Sequence, residues 1–178
     1  MTLGGTIGGG GLESQILQKV KAVEGHHHAW ERFFGLAASP SGEVHRADLI
    51  TTSSTSFQVA AGDDTWGAWL QILGSSDTPF ITGSLFYDLR KYFVTAHQRN
   101  NTEYMLQLAF GATAAAALSA GTYSDAELFT GGGNTEVGPV ETNVERVAVG
   151  TKAWVRAWAV GQTLGTLDLK FGTHEYPF

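Results

Sequence analysis

The chain has 178 residues, a net charge of −6 and no cysteine, which excludes disulfides and thiolate metal sites. Its 11 Lys and Arg residues form no cluster, so direct binding to a nucleic-acid backbone is not expected. Only 16% of residues are charged and 23 are glycine, against about 25% charged and about 7% glycine in an average domain. This balance favours an all-β protein whose surface is partly covered by partners. No apolar run is long enough to cross a membrane.

The first 24 residues are predicted to form an arm outside the main domain. Residues 1–11 are mostly glycine and cannot bury enough apolar surface to order by themselves. The segment "LESQILQKVKAVEG" has the apolar spacing of a short amphipathic helix, which is marginal when it stands alone. We therefore predict that its stripe binds an apolar groove on a partner, such as a capsid, or on a neighbouring subunit. The stripe consists of Leu12, Ile16, Val20 and Val23.

Residues 25–178 are predicted to form one β domain. Short alternating segments such as "STSFQVAA", "TEYMLQLAFG" and "KAWVRAWAV" are separated by turn residues such as "SPSGE" and "HQRNNT". Eight to ten short strands with such turns are typical of a β-sandwich or jelly roll. The exception is "ATAAAALSAGTY", for which the alanine run and Gly121 predict one or two turns of helix.

The stretch "GHHHAWERFFG" raises the question of a metal site. In a strand, His26 and His28 share one face, as in the His-x-His pair of the cupins, which are also jelly-roll barrels. The cupin pattern places a glutamate four or five positions after the second histidine, whereas Glu31 follows His28 by three. The later cupin element has no match either. We therefore predict no metal, and we assign this stretch to the first strand, with His26 and His28 at the surface or at a subunit contact.

No catalytic signature is present in the sequence. The nucleophile elbow G-x-S-x-G, the P-loop, and a G-x-G-x-x-G that follows a strand and opens a helix are all missing. The prediction is a protein that is not an enzyme, with no catalytic residues and no cofactor.

The segment "KAWVRAWAV" is the strongest candidate for a binding surface. In a strand, Trp154, Arg156 and Trp158 lie on one face, and small residues lie on the other. Trp and Arg often anchor interfaces, so this face could be a subunit contact or a platform for stacking sugars. Alternatively, the tryptophans fill the core and Arg156 is paired or emerges at an edge. The same alternation predicts that Trp66 and Trp69 of "TWGAWLQI" face opposite sides.

Residues from about 56 to 176 carry a consecutive pattern in which "LGSSDTP", "GTKAWVRAW" and "GTHEY" are the most distinctive segments. This pattern resembles small jelly-roll structural proteins of tailed bacteriophages, which decorate or cement capsids. The resemblance covers roughly two thirds of the chain and does not extend to the amino-terminal third.

The resemblance implies a non-enzymatic virion protein that bridges major capsid proteins as a homotrimer. It would be made in the host bacterial cytoplasm and located on the capsid surface. A carbohydrate-binding or tail-associated adhesion module is the alternative, with Trp154 and Trp158 as stacking platforms. A cupin-type metalloenzyme is the third reading.

Overall fold

The computed structural model describes residues 56–76, 83–132, 137–161 and 165–176 in full, and residues 32–36 and 46–48 as backbone only. The predicted arm of residues 1–24 lies outside the described residues, with its stripe Leu12, Ile16, Val20 and Val23. The candidate contact residues His26 and His28 lie outside them as well.

The described residues form eleven strands and one short helix, so the predicted all-β class is confirmed. The strands are β1 (Arg32–Leu36), β2 (Arg46–Asp48), β3 (Phe57–Asp63), β4 (Leu70–Leu73), β5 (Phe86–His97), β6 (Thr102–Phe110), β7 (Tyr123–Thr130), β8 (Val137–Glu141), β9 (Val147–Ala148), β10 (Ala153–Ala159) and β11 (Gly165–Tyr176). The helix, α1, spans Ala114–Ala120.

All these strands belong to one sheet that nearly closes into a barrel. Its main path runs β2-β1-β11-β3-β10-β6-β7, while β5 pairs with the other edge of β11 and carries β8 and β9. The short strand β4 extends the sheet beside β10. Near the seam, the Tyr92 hydroxyl of β5 donates to the Glu127 carbonyl of β7 at 3.4 Å. The seam of the barrel lies between β7 and β8, since β8 is paired with β5 at Tyr92. These two strands lie close together, but no ladder joins them among the described residues.

The core follows from the alternation of side chains along the central strands. Phe57 of β3, Tyr104 of β6 and Phe171 of β11 are among the largest fully buried side chains. The rings of Phe57 and Phe171 pack with their centroids 5.9 Å apart. Burial of such aromatic side chains contributes about 1.5–3 kcal/mol each relative to exposure, so the curled sheet is stabilised mainly from its inner face.

The alanine-rich segment forms the helix predicted for it. The Thr113 hydroxyl caps the start of α1 by accepting a hydrogen bond from the Ala116 amide at 3.1 Å. Gly121 ends the helix in the left-handed conformation at φ 71°, which glycine adopts without a steric penalty. Within the described part of the chain, no helix is long and apolar enough to span a membrane.

Candidate functional site: a tryptophan–arginine face

Strand β10 divides its side chains between the core and the outside of the sheet. Trp154, Arg156 and Trp158 are only partly buried and lie on the outer face. The small residues between them are fully buried in the core: Ala153, Val155, Ala157 and Ala159. The predicted sharing of one face by the two tryptophans and the arginine is confirmed. The alternative in which the tryptophans fill the core is wrong, because small side chains take those inner positions.

Arg156 is held between aromatic rings and a buried amide. Its guanidinium carbon lies 4.6 Å from the centroid of Trp66 and 4.3 Å from that of Trp69. Its Nε and Nη2 both donate to Oε1 of Gln107, at 2.8 and 2.6 Å. Burial lowers the pKa of the Arg156 guanidinium, and the negative charge of Asp125 raises it. The contacts fix the orientation of a cation that would otherwise be free to move.

Trp66 and Trp69 reach the same arginine because the segment between β3 and β4 is not a strand. The prediction that these two rings face opposite sides is therefore wrong. The segment follows the edge of β10, where the Gly67 amide donates to the Ala157 carbonyl at 2.8 Å. A Cβ at Gly67 would lie 2.2 Å from the Ala60 carbonyl oxygen. Only a glycine permits this close approach, which ends the two-residue alternation and brings both rings to one side.

The outer tryptophans of β10 are also anchored through their indole nitrogens. Trp158 Nε1 donates to Oδ1 of Asp64 at 3.3 Å, and its ring meets Trp66 edge to face at 5.7 Å. Trp154 Nε1 donates to the Gly111 carbonyl at 3.1 Å. We call the outward surface formed by Trp66, Trp69, Trp154, Arg156 and Trp158 the tryptophan–arginine face.

A polar row connects this face to β7. Arg156, Gln107 and Asp125 lie directly opposite one another on β10, β6 and β7. Gln107 is 5% exposed, and its Nε2 donates to Oδ1 of Asp125 at 2.7 Å. Sequence reasoning missed Gln107 and Asp125, because no local motif marks a polar residue that faces a partner on another strand.

A second polar group lies where β5 and β11 pair. The Tyr176 hydroxyl donates to Oδ2 of Asp88 at 2.7 Å, and His174 Nδ1 lies 3.7 Å from Oδ1 of Asp88. The Arg146 guanidinium sits 3.6 Å from the centroid of the Tyr176 ring. Burial, and then the contact with Asp88, raises the pKa of Tyr176 to about 12. The Tyr176 hydroxyl therefore keeps its proton to a higher pH than an exposed tyrosine does, and it uses this proton in the hydrogen bond to Asp88.

Two further observations bear on ligand chemistry. Among the described residues, no three His, Cys, Asp or Glu side chains come together in a way that could hold a metal ion.

A cavity of about 390 Å³ opens between the start of β7 and the segment before β9, with Phe110, Tyr123, Asn143, Glu145 and Arg146 in its lining. Its charged lining residues are of opposite sign, so it carries no strong preference for an anion or a cation.

Comparison with known proteins identifies no family for the chain: no protein-family model, no curated protein and no solved structure matches it.

Proposed function

We propose that this chain is a non-enzymatic structural protein of a bacteriophage virion that binds the capsid surface and bridges major capsid proteins. The proposal includes the jelly-roll relationship and the homotrimer that the sequence resemblance implies. It involves no cofactor, no direct contact with nucleic acid and no membrane. Its support comes from the distinctive segments "LGSSDTP", "GTKAWVRAW" and "GTHEY" and from the outer surface of the sheet.

The single structural observation that supports this proposal best is the fixed arginine of the tryptophan–arginine face. A bridging protein needs anchors that lose little conformational freedom when they bind. Arg156 is already oriented by Gln107 and by Trp66 and Trp69. Trp and Arg are enriched among the residues that dominate interface energies. We therefore assign Trp154, Arg156 and Trp158 to a contact between subunits.

Quantitative mass spectrometry of purified virions tests the location. In particles of a phage that encodes the chain, the proposal expects a fixed ratio between this protein and the major capsid protein. Removal of the gene should leave particles that lose DNA more readily on heating, because bridging contacts oppose the pressure of the packed genome. The absence of the protein from purified virions would contradict the proposal.

Sedimentation of the purified protein tests the subunit contact. The wild-type chain should sediment as a trimer, and the double variant Arg156→Ala/Trp158→Ala should shift towards the monomer. The matched control is Arg90→Ala, which removes an exposed arginine from β5. If circular dichroism shows that the double variant is folded and it remains a trimer, the contact lies elsewhere.

A carbohydrate-binding or adhesion module is the second candidate, and the outward position of Trp154 and Trp158 favours it. Sugar stacking needs an accessible ring face. Trp66 and Trp69 each turn one face towards Arg156, which leaves the β10 tryptophans as the better platforms. Glycan binding that disappears in Trp154→Ala, by a protein that is absent from virions, would support this candidate over the capsid role.

A further inference from the structure

The cavity described above lies between two walls on either side of the barrel seam. One wall is the end of β6 and the start of β7, which contribute Phe110, Gly121, Thr122 and Tyr123 to the lining. The other wall is the segment that follows β8, which contributes residues 143–147. The volume of about 390 Å³ is near the lower end of the range for ligand pockets, ~300–1,000 Å³, so the cavity suits a small molecule.

Both walls are held in place by contacts within the protein. On the first wall, the Thr122 hydroxyl donates to the Phe110 carbonyl at 2.7 Å. On the second, the Thr142 amide donates to a carbonyl of β5 at 2.8 Å, and Val147 pairs with Tyr87 of β5. The Tyr87 and Phe110 rings lie 6.4 Å apart between centroids, so one residue of β5 contacts both walls. A site fixed in this way loses little conformational freedom when a ligand binds.

The lining has an apolar part on each wall. Phe110 is 5% exposed, and Val144 and Val147 are half-buried and pack against the core. Tyr123, at the start of β7, is 44% exposed, which leaves part of its side chain accessible at the rim. A ligand with an apolar face can therefore remove this surface from water.

The polar side chains of the lining come from one short segment. Asn143, Glu145 and Arg146 are all exposed. A carboxylate only accepts hydrogen bonds, a guanidinium only donates them, and an amide does both. Glu145 repels an anion and Arg146 repels a cation, so a net charge on the ligand is not favoured. A hydroxyl group both donates and accepts, so a neutral ligand with several neighbouring hydroxyls can bind all three side chains.

Arg146 is oriented before a ligand arrives. Its guanidinium carbon lies 3.6 Å from the centroid of the Tyr176 ring, and the Tyr176 hydroxyl is held by Asp88 at 2.7 Å. A zwitterion such as a free amino acid would also meet both signs of charge. Ion pairs at exposed positions contribute little to binding, however, whereas hydrogen bonds that involve one charged group are stronger than neutral ones. The lining therefore favours hydroxyls over opposite charges.

A sugar ring combines an apolar face of C–H groups with neighbouring hydroxyls at its edge. We propose that this cavity binds a neutral sugar of one or two rings. Tyr123 packs against the C–H face of one ring, and the hydroxyls bind the amide of Asn143, the carboxylate of Glu145 and the guanidinium of Arg146. The site shares no residue with the tryptophan–arginine face, and the inference does not depend on the proposed capsid role.

Saturation-transfer difference NMR on the purified full-length chain tests the ligand class. The neutral probes are the methyl glycosides of glucose, galactose, mannose and N-acetylglucosamine. The charged probes are sialic acid, glucosamine and free tyrosine, which are an anion, a cation and a zwitterion. At least one neutral probe should bind at about 10 mM or below, and the charged probes should bind at least about fivefold more weakly. Binding by none of the neutral probes, or tighter binding by a charged probe, would overturn the proposal.

Variants locate the site with the neutral probe that binds best. Tyr123→Ala and Glu145→Ala should each weaken binding at least about tenfold. The matched controls are Phe129→Ala, which removes an exposed aromatic side chain from the other end of β7, and Glu103→Ala, which removes an exposed carboxylate from β6. Trp154→Ala should also bind as the wild type does, which separates this site from the tryptophans of β10. Unchanged binding by Tyr123→Ala and Glu145→Ala would overturn the proposal.

Amide chemical shifts of the wild-type chain give a second location that needs no substitution. Addition of the same sugar should shift the amide signals of Gly121, Thr122 and Glu145 and leave those of Arg156 and Trp158 in place. Shifts confined to the tryptophan–arginine face would overturn the assignment to the cavity.

Discussion

Replacement of Arg156 by alanine should destabilise the sheet by about 2–3 kcal/mol. The change removes both donors from Oε1 of Gln107, a side chain that is 5% exposed. A buried polar group left without a partner costs about 1–3 kcal/mol. The cation–π contacts with Trp66 and Trp69 are worth about 0.5–1 kcal/mol each at partly exposed sites. Water can enter the space that the arginine leaves, which places the expected loss below the full total of these contributions.

Urea unfolding followed by far-ultraviolet circular dichroism measures this loss. With a slope of about 2 kcal/mol per molar urea, the midpoint should fall by about 1–1.5 M. All variants must be compared at one protein concentration, because association shifts apparent stability. The control Arg90→Ala should stay within about 0.5 kcal/mol of the wild type. Arg156→Lys should recover only part of the loss, since an ammonium group cannot reproduce the planar fork of the guanidinium.

A double-mutant cycle identifies the source of the effect. If the contact with Gln107 dominates, Arg156→Ala and Gln107→Ala should show a coupling energy of about 0.5–3 kcal/mol. A loss below about 0.5 kcal/mol for Arg156→Ala, with no coupling to Gln107, would refute the reasoning. The arginine would then be an exposed side chain whose contacts contribute nothing measurable to folding.

Three further changes test other parts of the structure. Ala157→Leu should lower the free energy of unfolding by about 1–3 kcal/mol, because Ala157 is fully buried on the inner face of β10, and thermal unfolding measures this. Gly67→Ala should displace the rings beside Arg156, because its Cβ would lie 2.2 Å from the Ala60 carbonyl oxygen, and an unchanged near-ultraviolet circular dichroism spectrum would contradict this. Since the pKa of Tyr176 rises to about 12 on folding, its contribution to stability should be complete below pH ~10 and be lost as the pH rises towards 12. Tyr176→Phe should make the fall in stability over that range shallower, which urea unfolding at a series of pH values would show.

Local alternation along the sequence was sufficient to predict the two faces of β10. Side chains in a strand point to opposite sides at every residue, so Trp154, Arg156 and Trp158 had to share a face once a strand was assumed. The short helix was equally local, because an alanine run followed by Gly121 satisfies helix propensity and capping within a few residues. Such features depend on neighbours in the chain, and they agree with the structure.

The partners of Arg156 could not be predicted in this way. Gln107 is 49 positions away in the sequence, and it meets Arg156 only because β6 and β10 are neighbours in the sheet. Trp66 and Trp69 were assigned to opposite faces because the alternation was extended through Gly67, where the backbone leaves the strand. Long-range pairing and the close approach at Gly67 place both rings beside one cation.

The sequence by itself determined the all-β class, the helix that Gly121 ends and the shared face of Trp154 and Trp158, because each depends on residues close together in the chain. Only the tertiary structure decided which side of β10 faces the core, how Arg156 is held, and that Asp125 of β7 lies in line with Gln107 and Arg156. Strand order creates these features, and it is set by the burial of apolar side chains from distant segments, which no local pattern specifies.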